Sequence, residues 1–475
     1  MEKVERKISF KVAVLSMIIL ALVLIGGFAV LKISTHVVFL LAIIAMGIVA
    51  LASGFKLSEI EEFFLDGCRK AILVALILMI VGAVIGSWIV SGVVPSIIYY
   101  GLEILSPKFF LVAGFFICCI ISFFVGSSYS AIATLGVAFM GIGMGLNINP
   151  GITAGMVVSG AIFGDKMSPF SDTTNLAPAV AGTDIFRHIN SMLYTTIPAT
   201  IISAAIYTFI GFRMGGENVE LETVTGINNA LQENFNITPW LLIVPVLTVV
   251  LALLKVPPLI ALLLSAIVGT IAGFIFQSGC YDYQIILNAL GSGFVIESGN
   301  AAVDKLLNRG GILGMMGTSS LALLALGLGE MLQRMGVLSV VLSKMEKIIK
   351  TPTSLVLTTL GTCLITTCLT ASQYIAILLP GQIMKDAYTR LGVQKRVLSR
   401  TLEDGGTIFT FLIPWSTTGI YVSGVLGVSV LSYVPYAFLA IICPIIACIY
   451  AFTGIAIFKE KDLTDEQRER EAQIN

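Results

Sequence analysis

The stretch GDKMSPFSDTTN, residues 164–175, is strongly polar, and the chain on both sides of it is almost entirely apolar. It contains two carboxylates, a lysine, a proline and five hydroxyl or amide side chains. Pro169 has no backbone N–H and disfavours helical geometry at the residue before it. The stretch therefore predicts a helix that ends near Gly164 and restarts near Ser171 or Asp172, both of which are good N-cap residues.

The whole chain has the composition of a membrane protein. Of its 475 residues, 57% are hydrophobic and 12% are charged, whereas a soluble domain carries about 25% charged residues. Apolar runs near 20 residues recur, and this length crosses the ~30 Å hydrocarbon core of a bilayer. We therefore expect an all-α polytopic membrane protein surrounded by lipid. The formal net charge is zero, so nothing suggests a nucleic-acid partner.

Candidate membrane spans occur five to each half of the chain. They are 11–31, 35–52, 107–141, 150–182 and 187–212 in the first half, and 239–254, 257–277, 353–384, 400–424 and 431–458 in the second. Two further apolar segments, 71–102 and 311–343, are interrupted by glycines. We interpret these two segments as re-entrant hairpins, which enter and leave the membrane on one side.

Four groups of residues recur at one constant offset. Ser127-x-Tyr129-x-Ala131-Ile132 recurs as Ser372-x-Tyr374-x-Ala376-Ile377, Pro169-Phe170-Ser171-x-Thr173 as Pro414-Trp415-Ser416-x-Thr418, Pro107 as Pro352 and Gly82 as Gly327, each pair 245 residues apart. A single match would be chance, but four groups without a gap indicate a duplicated unit. We expect a first transmembrane repeat at 1–215, an external loop at 216–238, a second repeat at 239–458 and a cytoplasmic tail at 459–475.

Charge predicts the orientation of the two repeats. The segment 385–400 holds five basic residues and one acid, which is typical of a cytoplasmic loop, whereas 213–238 holds four glutamates and one arginine. With two re-entrant hairpins, each half crosses five times, so the halves have opposite topology and both termini are cytoplasmic. The basic segment KMEKIIK, 344–350, would then lie outside, contrary to the rule that basic loops are cytoplasmic. Inverted repeats of this kind are the architecture of many secondary transporters.

The break in the first repeat suggests ion chemistry. An interrupted helix at bilayer depth is tolerated where it lines a cavity or packs in protein. Its free carbonyls, hydroxyls and carboxylates are hard oxygen donors that suit Na⁺, and Asp165 or Asp172 can hold either a proton or the cation. Competition at one carboxylate is the simplest chemistry for antiport. The candidate binding residues here are Asp165, Ser168, Ser171, Asp172, Thr173, Thr174, Asn175, Ser127 and Ser128.

A second polar break, FLIPWSTTG at 411–419, keeps the proline and the hydroxyls but has no acid. The nearby carboxylates are Glu403 and Asp404. An isolated glutamate in an apolar run, Glu330, is a functional candidate by default. The candidate binding residues of the second half are Ser372, Gln373, Ser416, Thr417, Thr418, Asp404 and Glu330.

Each candidate also has a purely structural interpretation. Asp172 could serve only as an N-cap, and Asp165 with Lys166 could form a solvated pair at the cytoplasmic interface. Glu330 could pair with Arg334, four residues along the same helix. The hydroxyl and amide side chains could simply satisfy the backbone groups freed by the break.

The motif Gly164-Asp165-Lys166-Met167-Ser168-Pro169, followed by SDTTNLAP at 171–178 and AGTDIFRHINSMLYTTIP at 181–198, resembles the signature of the NhaC family of bacterial Na⁺/H⁺ antiporters. The resemblance covers nearly the whole chain. It implies transport of Na⁺ and H⁺ without a cofactor in the bacterial cell (inner) membrane. It also implies scaffold and transport domains, two re-entrant hairpins and an elevator-type movement. The runs 11–52 and 239–277 are smoother Leu, Ile, Val and Ala segments with few polar groups, and from this composition we expect them to form the scaffold as a lipid-facing or homodimer-forming wall.

The same family includes exchangers that couple Na⁺ and lactate to malate and protons, and the motif does not separate the two activities. Binding of a small carboxylate would require a cationic side chain or a helix N-terminus. Lys166 and the half-helix starting at Ser171 would supply these two groups.

An enzyme and a channel are the competing classes. The sequence has no HExxH, no GxSxG and no Walker A motif, which argues against an intramembrane enzyme and against ATP-driven transport. Duplicated broken helices favour alternating access over a channel.

Overall fold

The computed structural model of the chain describes residues 8–104, 106–214, 221–254, 256–347 and 349–463, and within these it is helical apart from two isolated bridge pairs. Nine of the described helices are long and apolar enough to cross a membrane, or twelve spans if each of three bent helix pairs is counted as one. The expected all-α polytopic membrane protein is confirmed. Three parts of the expected organisation lie outside the described residues. They are residues 1–7 of the first repeat, residues 216–220 of the external loop and residues 464–475 of the tail.

The first half of the chain forms eleven α-helices among the described residues. They are α1 (Phe10–Ile25), α2 (Thr35–Ala52), α3 (Leu57–Val90), α4 (Val93–Ile104), α5 (Pro107–Val125), α6 (Ser128–Ala131), α7 (Val137–Gly145), α8 (Pro150–Met167), α9 (Asp172–Ala181), α10 (Ile185–Met214) and α11 (Leu221–Asn234). A π-helical turn, Ile132–Gly136, joins α6 to α7 in one continuous helix, and another, Gly26–Val30, extends α1.

The second half forms thirteen α-helices among the described residues. Its described helices are α12 (Ile243–Leu253), α13 (Pro258–Phe276), α14 (Tyr283–Ser292), α15 (Ala301–Leu307), α16 (Met316–Arg334), α17 (Val337–Glu346), α18 (Pro352–Thr370), α19 (Gln373–Arg390), α20 (Lys395–Leu402), α21 (Ile408–Leu412), α22 (Thr417–Leu426), α23 (Val430–Tyr433) and α24 (Phe438–Thr453). A π-helical turn, Glu403–Thr407, joins α20 to α21.

Helix boundaries recur at the offset seen in the sequence. Helices α5 and α18 begin at Pro107 and Pro352, 245 residues apart, and α9 and α22 begin at residues 172 and 417. Both α5 and α18 end on a left-handed residue, Gly126 (φ 71°) and Ala371 (φ 56°). The positive φ of Ala371 is uncommon for a residue with a Cβ. The repeated groups in the sequence therefore mark repeated local structure.

These left-handed residues turn the chain back on itself. The rings of Phe110 and Phe139 lie 6.0 Å apart, so a side chain of α7 contacts α5. In the equivalent pair, α18 and α19, the Tyr388 hydroxyl donates to Thr359 Oγ1 (3.4 Å). The segments 107–141 and 353–384 therefore form helical hairpins. Their turns fall in the polar segments VGSSYS, 125–130, and TASQYI, 370–375, which interrupt these two spans in the sequence as expected. The cause is local, because a left-handed residue ends a helix and redirects the chain.

The segments expected as re-entrant hairpins, 71–102 and 311–343, differ from that expectation. Helix α3 runs without interruption for 34 residues, about 51 Å at 1.5 Å per residue, and both α3 and the helix Leu313–Arg334 can cross a membrane. The helices that come after these two in the chain, α4 with 12 residues and α17 with 10, are too short to cross. The apolar run that begins at residue 71 directly continues the amphipathic turns at 57–70, so the two parts form one long helix, α3.

Helix α10 and its counterpart α24 run in opposite directions. The Tyr207 and Phe438 rings lie 5.0 Å apart, and the Tyr194 and Phe458 rings lie 5.4 Å apart. Residue numbers rise along one helix as they fall along the other. Equivalent elements of the two halves are therefore antiparallel here.

Several chain segments meet at one end of the molecule. Lys344 Nζ lies 5.8 Å from the centre of the Phe10 ring, and Arg390 pairs with Glu346 at 2.8 Å. The backbone N–H of Glu460 donates to the Gly392 carbonyl at 2.8 Å. The segment 344–350, expected on the opposite side, thus lies beside 385–400. The reason is that α16 is long enough to be a full span rather than one arm of a re-entrant hairpin.

Candidate functional site

The predicted break in the first unit is present. Helix α8 continues to Met167, three residues beyond the expected end, and α9 begins at Asp172 with Ser171 as its N-cap. The Asn175 amide donates to the carbonyls of Pro169 (2.9 Å) and Ser171 (2.7 Å), which closes the connection. Ser168 is buried, and its hydroxyl accepts from the N–H of residue 170 (3.2 Å). Ser168 and Asn175 thus satisfy backbone groups at the break.

Asp165 lies where this break meets the turn of the α5–α7 hairpin. Its carboxylate accepts from the Ser128 N–H (3.1 Å), from the Ser128 hydroxyl and from the Ser171 hydroxyl (3.4 Å). The residue is buried, as is Lys166. The solvated interfacial pair considered from sequence is therefore not formed. Donors from two separate breaks converge on one carboxylate.

The free carbonyl of Asp165 is also satisfied from α9. The hydroxyls of Thr173 (3.3 Å) and Thr174 both donate to it. A helix end leaves four carbonyls without intrahelical partners, and here the first turn of the next half-helix supplies donors. The two half-helices are thereby held in a fixed relation around Asp165.

Asp172 has a different environment, because its side chain is exposed and lines a cavity of about 300 Å³. The cavity lies between the α5–α7 turn, the break and the α12–α13 helices, and Ser127 also lines it. The Ser127 hydroxyl accepts from the Ser130 N–H (3.3 Å) as the N-cap of α6. The cavity gives access to Asp172, while Asp165 lies behind it, connected through the Ser171 hydroxyl.

A buried ion pair joins the two units. Lys166 Nζ lies 2.5 Å from Asp404 Oδ1, and both side chains are fully buried. The Thr195 hydroxyl (3.0 Å) and the Cys443 thiol (3.2 Å) donate to the same oxygen. The structure thus places Asp404 as the counter-ion of Lys166, and sequence reasoning does not find this pairing.

Glu403 is also fully buried, and its carboxyl group lies near Lys166 and near the hydroxyls of Thr407 and Thr173. It begins the π-helical turn Glu403–Thr407, and such turns are frequent at functional sites. Sequence reasoning notes Glu403 only as a neighbour of Asp404. Its position in a glycine-containing acidic run, EDGGT, is the signal that could have singled it out.

The second break is built like the first but has no carboxylate in it. Helix α21 ends at Leu412, α22 begins at Thr417, and the two helical segments bend by 46°. Ser416 is the N-cap, accepting from Gly419 N–H (2.9 Å), and the Thr417 N–H donates to the Ala371 carbonyl (2.8 Å). In the adjacent hairpin turn, the Ser372 hydroxyl accepts from the N–H of residue 375 (3.4 Å).

Two tyrosines cross between the units. Tyr129 Oη lies 3.0 Å from Thr418 Oγ1, and the Thr418 hydroxyl donates to Gln373 Oε1 (3.4 Å). In the reverse direction, the Tyr374 hydroxyl donates to Asp172 Oδ2 (3.4 Å). Sequence reasoning does not choose either tyrosine, although both stand inside the repeated motif, and that repetition is the signal that could have found them.

Glu330 forms an ion pair with a residue that belongs to neither helix break. Its carboxylate pairs with Lys70 on α3 at 2.6 Å, and Arg334 pairs with Asp66 at 3.8 Å. The expected pair of Glu330 with Arg334 is therefore replaced by a bond between helices. In this structure Glu330 joins α16 to α3.

Comparison with known proteins gives matches over nearly the whole chain. The sequence profile of the Na⁺/H⁺ antiporter family matches residues 3–174 and 160–455. The chain is 36% identical to the Na⁺/H⁺ antiporter NhaC of Alkalihalophilus pseudofirmus, over 98% of this chain and 100% of that protein.

Two proteins of Bacillus subtilis are also similar. The chain is 39% identical to the malate-2H⁺/Na⁺-lactate antiporter, over 86% of this chain and 87% of that protein. It is 34% identical to the Na⁺/H⁺ antiporter NhaC, over 94% of this chain and 99% of that protein.

Proposed function

The chain belongs to the Na⁺/H⁺ antiporter family, and from that premise we propose that it exchanges Na⁺ for H⁺ across the bacterial cell membrane by alternating access. The family and its relatives are antiporters rather than enzymes. Na⁺ and H⁺ are the transported substrates in this proposal. The two ions occupy the same carboxylate site in turn.

The observation that carries this proposal is the cavity that reaches Asp172 at the break of the first unit. A cation entering it meets the carboxylate of Asp172 and the hydroxyl oxygen of Ser127, which are hard donors. The buried carboxylate of Asp165 is connected to this break through the Ser171 hydroxyl, which donates a hydrogen bond to it. Na⁺ neutralises the same negative charge that a proton neutralises, so binding of one ion disfavours the other.

Inverted topology of the two units is part of the proposal. It is supported by the 245-residue recurrence of helix boundaries and by the antiparallel packing of α10 and α24. We count α8 with α9, and α19, as crossings in addition to the twelve spans described above. Each half then crosses seven times, an odd number. We assign the end bearing 385–400 to the cytoplasm because of its basic residues, which makes both termini cytoplasmic.

An elevator-type movement completes the proposal. The broken helices and hairpins form the moving body, and α1–α2 with α12–α13 form the scaffold. The position of the cavity supports this division, because its walls come from the α5–α7 turn and the break of the moving body and from the α12–α13 helices of the scaffold. A homodimer would form along the scaffold.

The second candidate function is exchange of organic anions, since one relative is a malate-2H⁺/Na⁺-lactate antiporter. The cation that such a substrate needs would be Lys166. In the structure Lys166 is fully buried and paired with Asp404, so it is not free to bind a carboxylate. This pairing favours Na⁺/H⁺ exchange.

The purified protein in liposomes with an imposed pH gradient tests the proposal. Proton movement is followed while Na⁺, Li⁺, K⁺, malate and lactate are added singly and in pairs. We expect Na⁺ alone to drive proton movement in the wild type and Asp172→Asn to abolish it. Asp282→Asn, the same change at an exposed residue of the 278–282 connection, is the matched control.

Two results would contradict the proposal. Proton movement that requires malate or lactate would show the organic-anion exchanger instead. Near-normal Na⁺-driven proton flux in Asp172→Asn, with the variant present in the liposomes, would remove Asp172 from the shared site.

A further inference from the structure

The two repeated tyrosines, Tyr129 and Tyr374, occupy equivalent positions 245 residues apart. Each lies in the first turn of the helix that follows a hairpin turn, α6 or α19. Each side chain reaches the first turn of the half-helix of the opposite unit, α22 or α9. The contacts are thus reciprocal, as in a two-fold arrangement.

The surroundings of Tyr129 fix it from several sides. Its ring lies 4.3 Å from the ring of Tyr421, and the Tyr421 hydroxyl donates to its backbone carbonyl (2.8 Å). Its own hydroxyl pairs with Thr418, a neutral group. Tyr129 therefore has the contacts of a packing residue that holds α22 against the first unit.

The surroundings of Tyr374 are more open, and its partner carries the charge that the cation needs. The side chain is 53% exposed, and its hydroxyl donates to Oδ2 of Asp172. Asp172 is the carboxylate that lines the cavity. The same repeated residue thus meets a neutral hydroxyl in one unit and the candidate ion-binding carboxylate in the other.

We infer that Tyr374 is a positioning residue for Na⁺ binding, acting through Asp172. A carboxylate on an exposed turn samples several rotamers, and a donor to one oxygen fixes its direction and leaves the other oxygen for the cation. Fixing a ligand group in its bound geometry raises affinity because less freedom is lost on binding. This inference rests on the proposed Na⁺/H⁺ exchange.

The bond also joins the two units, since Tyr374 comes from the second and Asp172 from the first. Both residues belong to the moving body proposed above. The bond therefore keeps Asp172 oriented while that body moves against the scaffold.

Substitutions that remove only the hydroxyl test this role. The purified full-length protein is placed in liposomes, and the KM for Na⁺ and the maximal rate are measured for the wild type, Tyr374→Phe and Tyr129→Phe. We expect Tyr374→Phe to raise the KM for Na⁺ about three- to tenfold without a matching fall in maximal rate, as for loss of one long hydrogen bond to a charged group. For Tyr129→Phe we expect a lower unfolding temperature and a KM within about twofold of the wild type.

Equal KM values for the wild type and a folded Tyr374→Phe, as judged by size-exclusion chromatography, would overturn the inference. Equal falls in maximal rate for Tyr374→Phe and Tyr129→Phe with unchanged KM values would also overturn it, because both tyrosines would then have only a structural role. A wild type without Na⁺-driven proton movement would instead refute the proposed function.

Discussion

At the scale of single residues, the charged groups divide into two sets with different surroundings. Asp172 faces the cavity, whereas Lys166 and Asp404 are enclosed in protein and neutralise each other. An isolated buried charge is costly, whereas a paired and hydrogen-bonded one is tolerated. The pair therefore allows α8 to pack against the π-helical turn Glu403–Thr407 inside the protein, whereas the Asp172 carboxylate is accessible from the cavity.

Removing one member of the buried pair is expected to destabilise the protein by about 3–5 kcal/mol, because the other charge is left uncompensated. We expect Asp404→Asn to lower the unfolding temperature strongly, and Lys166→Met combined with Asp404→Leu to recover most of the loss. Unfolding of the purified variants is followed by the loss of the monodisperse peak after heating.

The matched comparison is the partly exposed pair of Arg390 with Glu346. Glu346→Gln is expected to change stability by less than about 1 kcal/mol, because water and salt screen such pairs. Equal losses from the two pairs would show that burial does not distinguish them.

At the scale of elements, the two units differ in how the aromatic residue of each break is covered. Phe170 is 53% exposed and lines the cavity, whereas its equivalent, Trp415, stacks on Phe28 with ring centres 5.9 Å apart. Phe28 lies on the π-helical turn Gly26–Val30 of the scaffold. The break of the first unit is thus open beside its scaffold helices, and that of the second unit is closed by a stacked pair.

Alternating access requires this stacked pair to open. In a background without the native cysteines, Phe28→Cys with Trp415→Cys, joined by a short thiol crosslinker, is expected to stop exchange. Na⁺ binding from the cavity side should persist, since Asp172 is in the other unit. Exchange is followed in liposomes, and each single-cysteine variant treated with the same reagent is the control. Undiminished exchange in fully crosslinked protein would mean that this contact does not move.

Much of each broken element could be predicted from sequence, but not the partners across the fold. Pro169 and the N-cap residue Ser171 predict the break because both effects are local. The polar segment TASQYI, 370–375, predicts an interruption there, but not the left-handed conformation of Ala371, since a left-handed alanine has no compositional signal. The pairing of Lys166 with Asp404 depends on helices 238 residues apart in the chain, and no local pattern encodes it.

At the scale of the whole molecule, contacts along α10 show which interhelical connections lie at the same end of the molecule. Arg187 Nη2 lies 3.0 Å from Gln394 Oε1 at the start of α10, whereas Gly211, near its end, packs against the Lys108 carbonyl. The residues between them form one helix, so these contacts lie at opposite ends of it. The basic segment 385–400 and the connection after α10 are thereby separated by the length of a span.

Single cysteines in a Cys-free background test the resulting topology. We expect Glu233→Cys to react with a membrane-impermeant maleimide on intact cells. Thr389→Cys and Ser343→Cys should react only after permeabilisation, because the basic residues around them are retained in the cytoplasm. Labelling of all three from one face would refute inverted topology, and labelling of Ser343→Cys with Glu233→Cys would refute the placement of α17.

The ion pair between Lys166 and Asp404 also has a consequence for biosynthesis. Lys166 leaves the ribosome 238 residues before its counter-ion, roughly 12 to 48 s earlier at the usual rates of translation. During that interval a lysine in a membrane helix has no partner, at a cost of about 2.5–3.5 kcal/mol on insertion scales. The first unit therefore reaches its final form only when the turn Glu403–Thr407 enters the membrane, so that the second unit completes the assembly of the first.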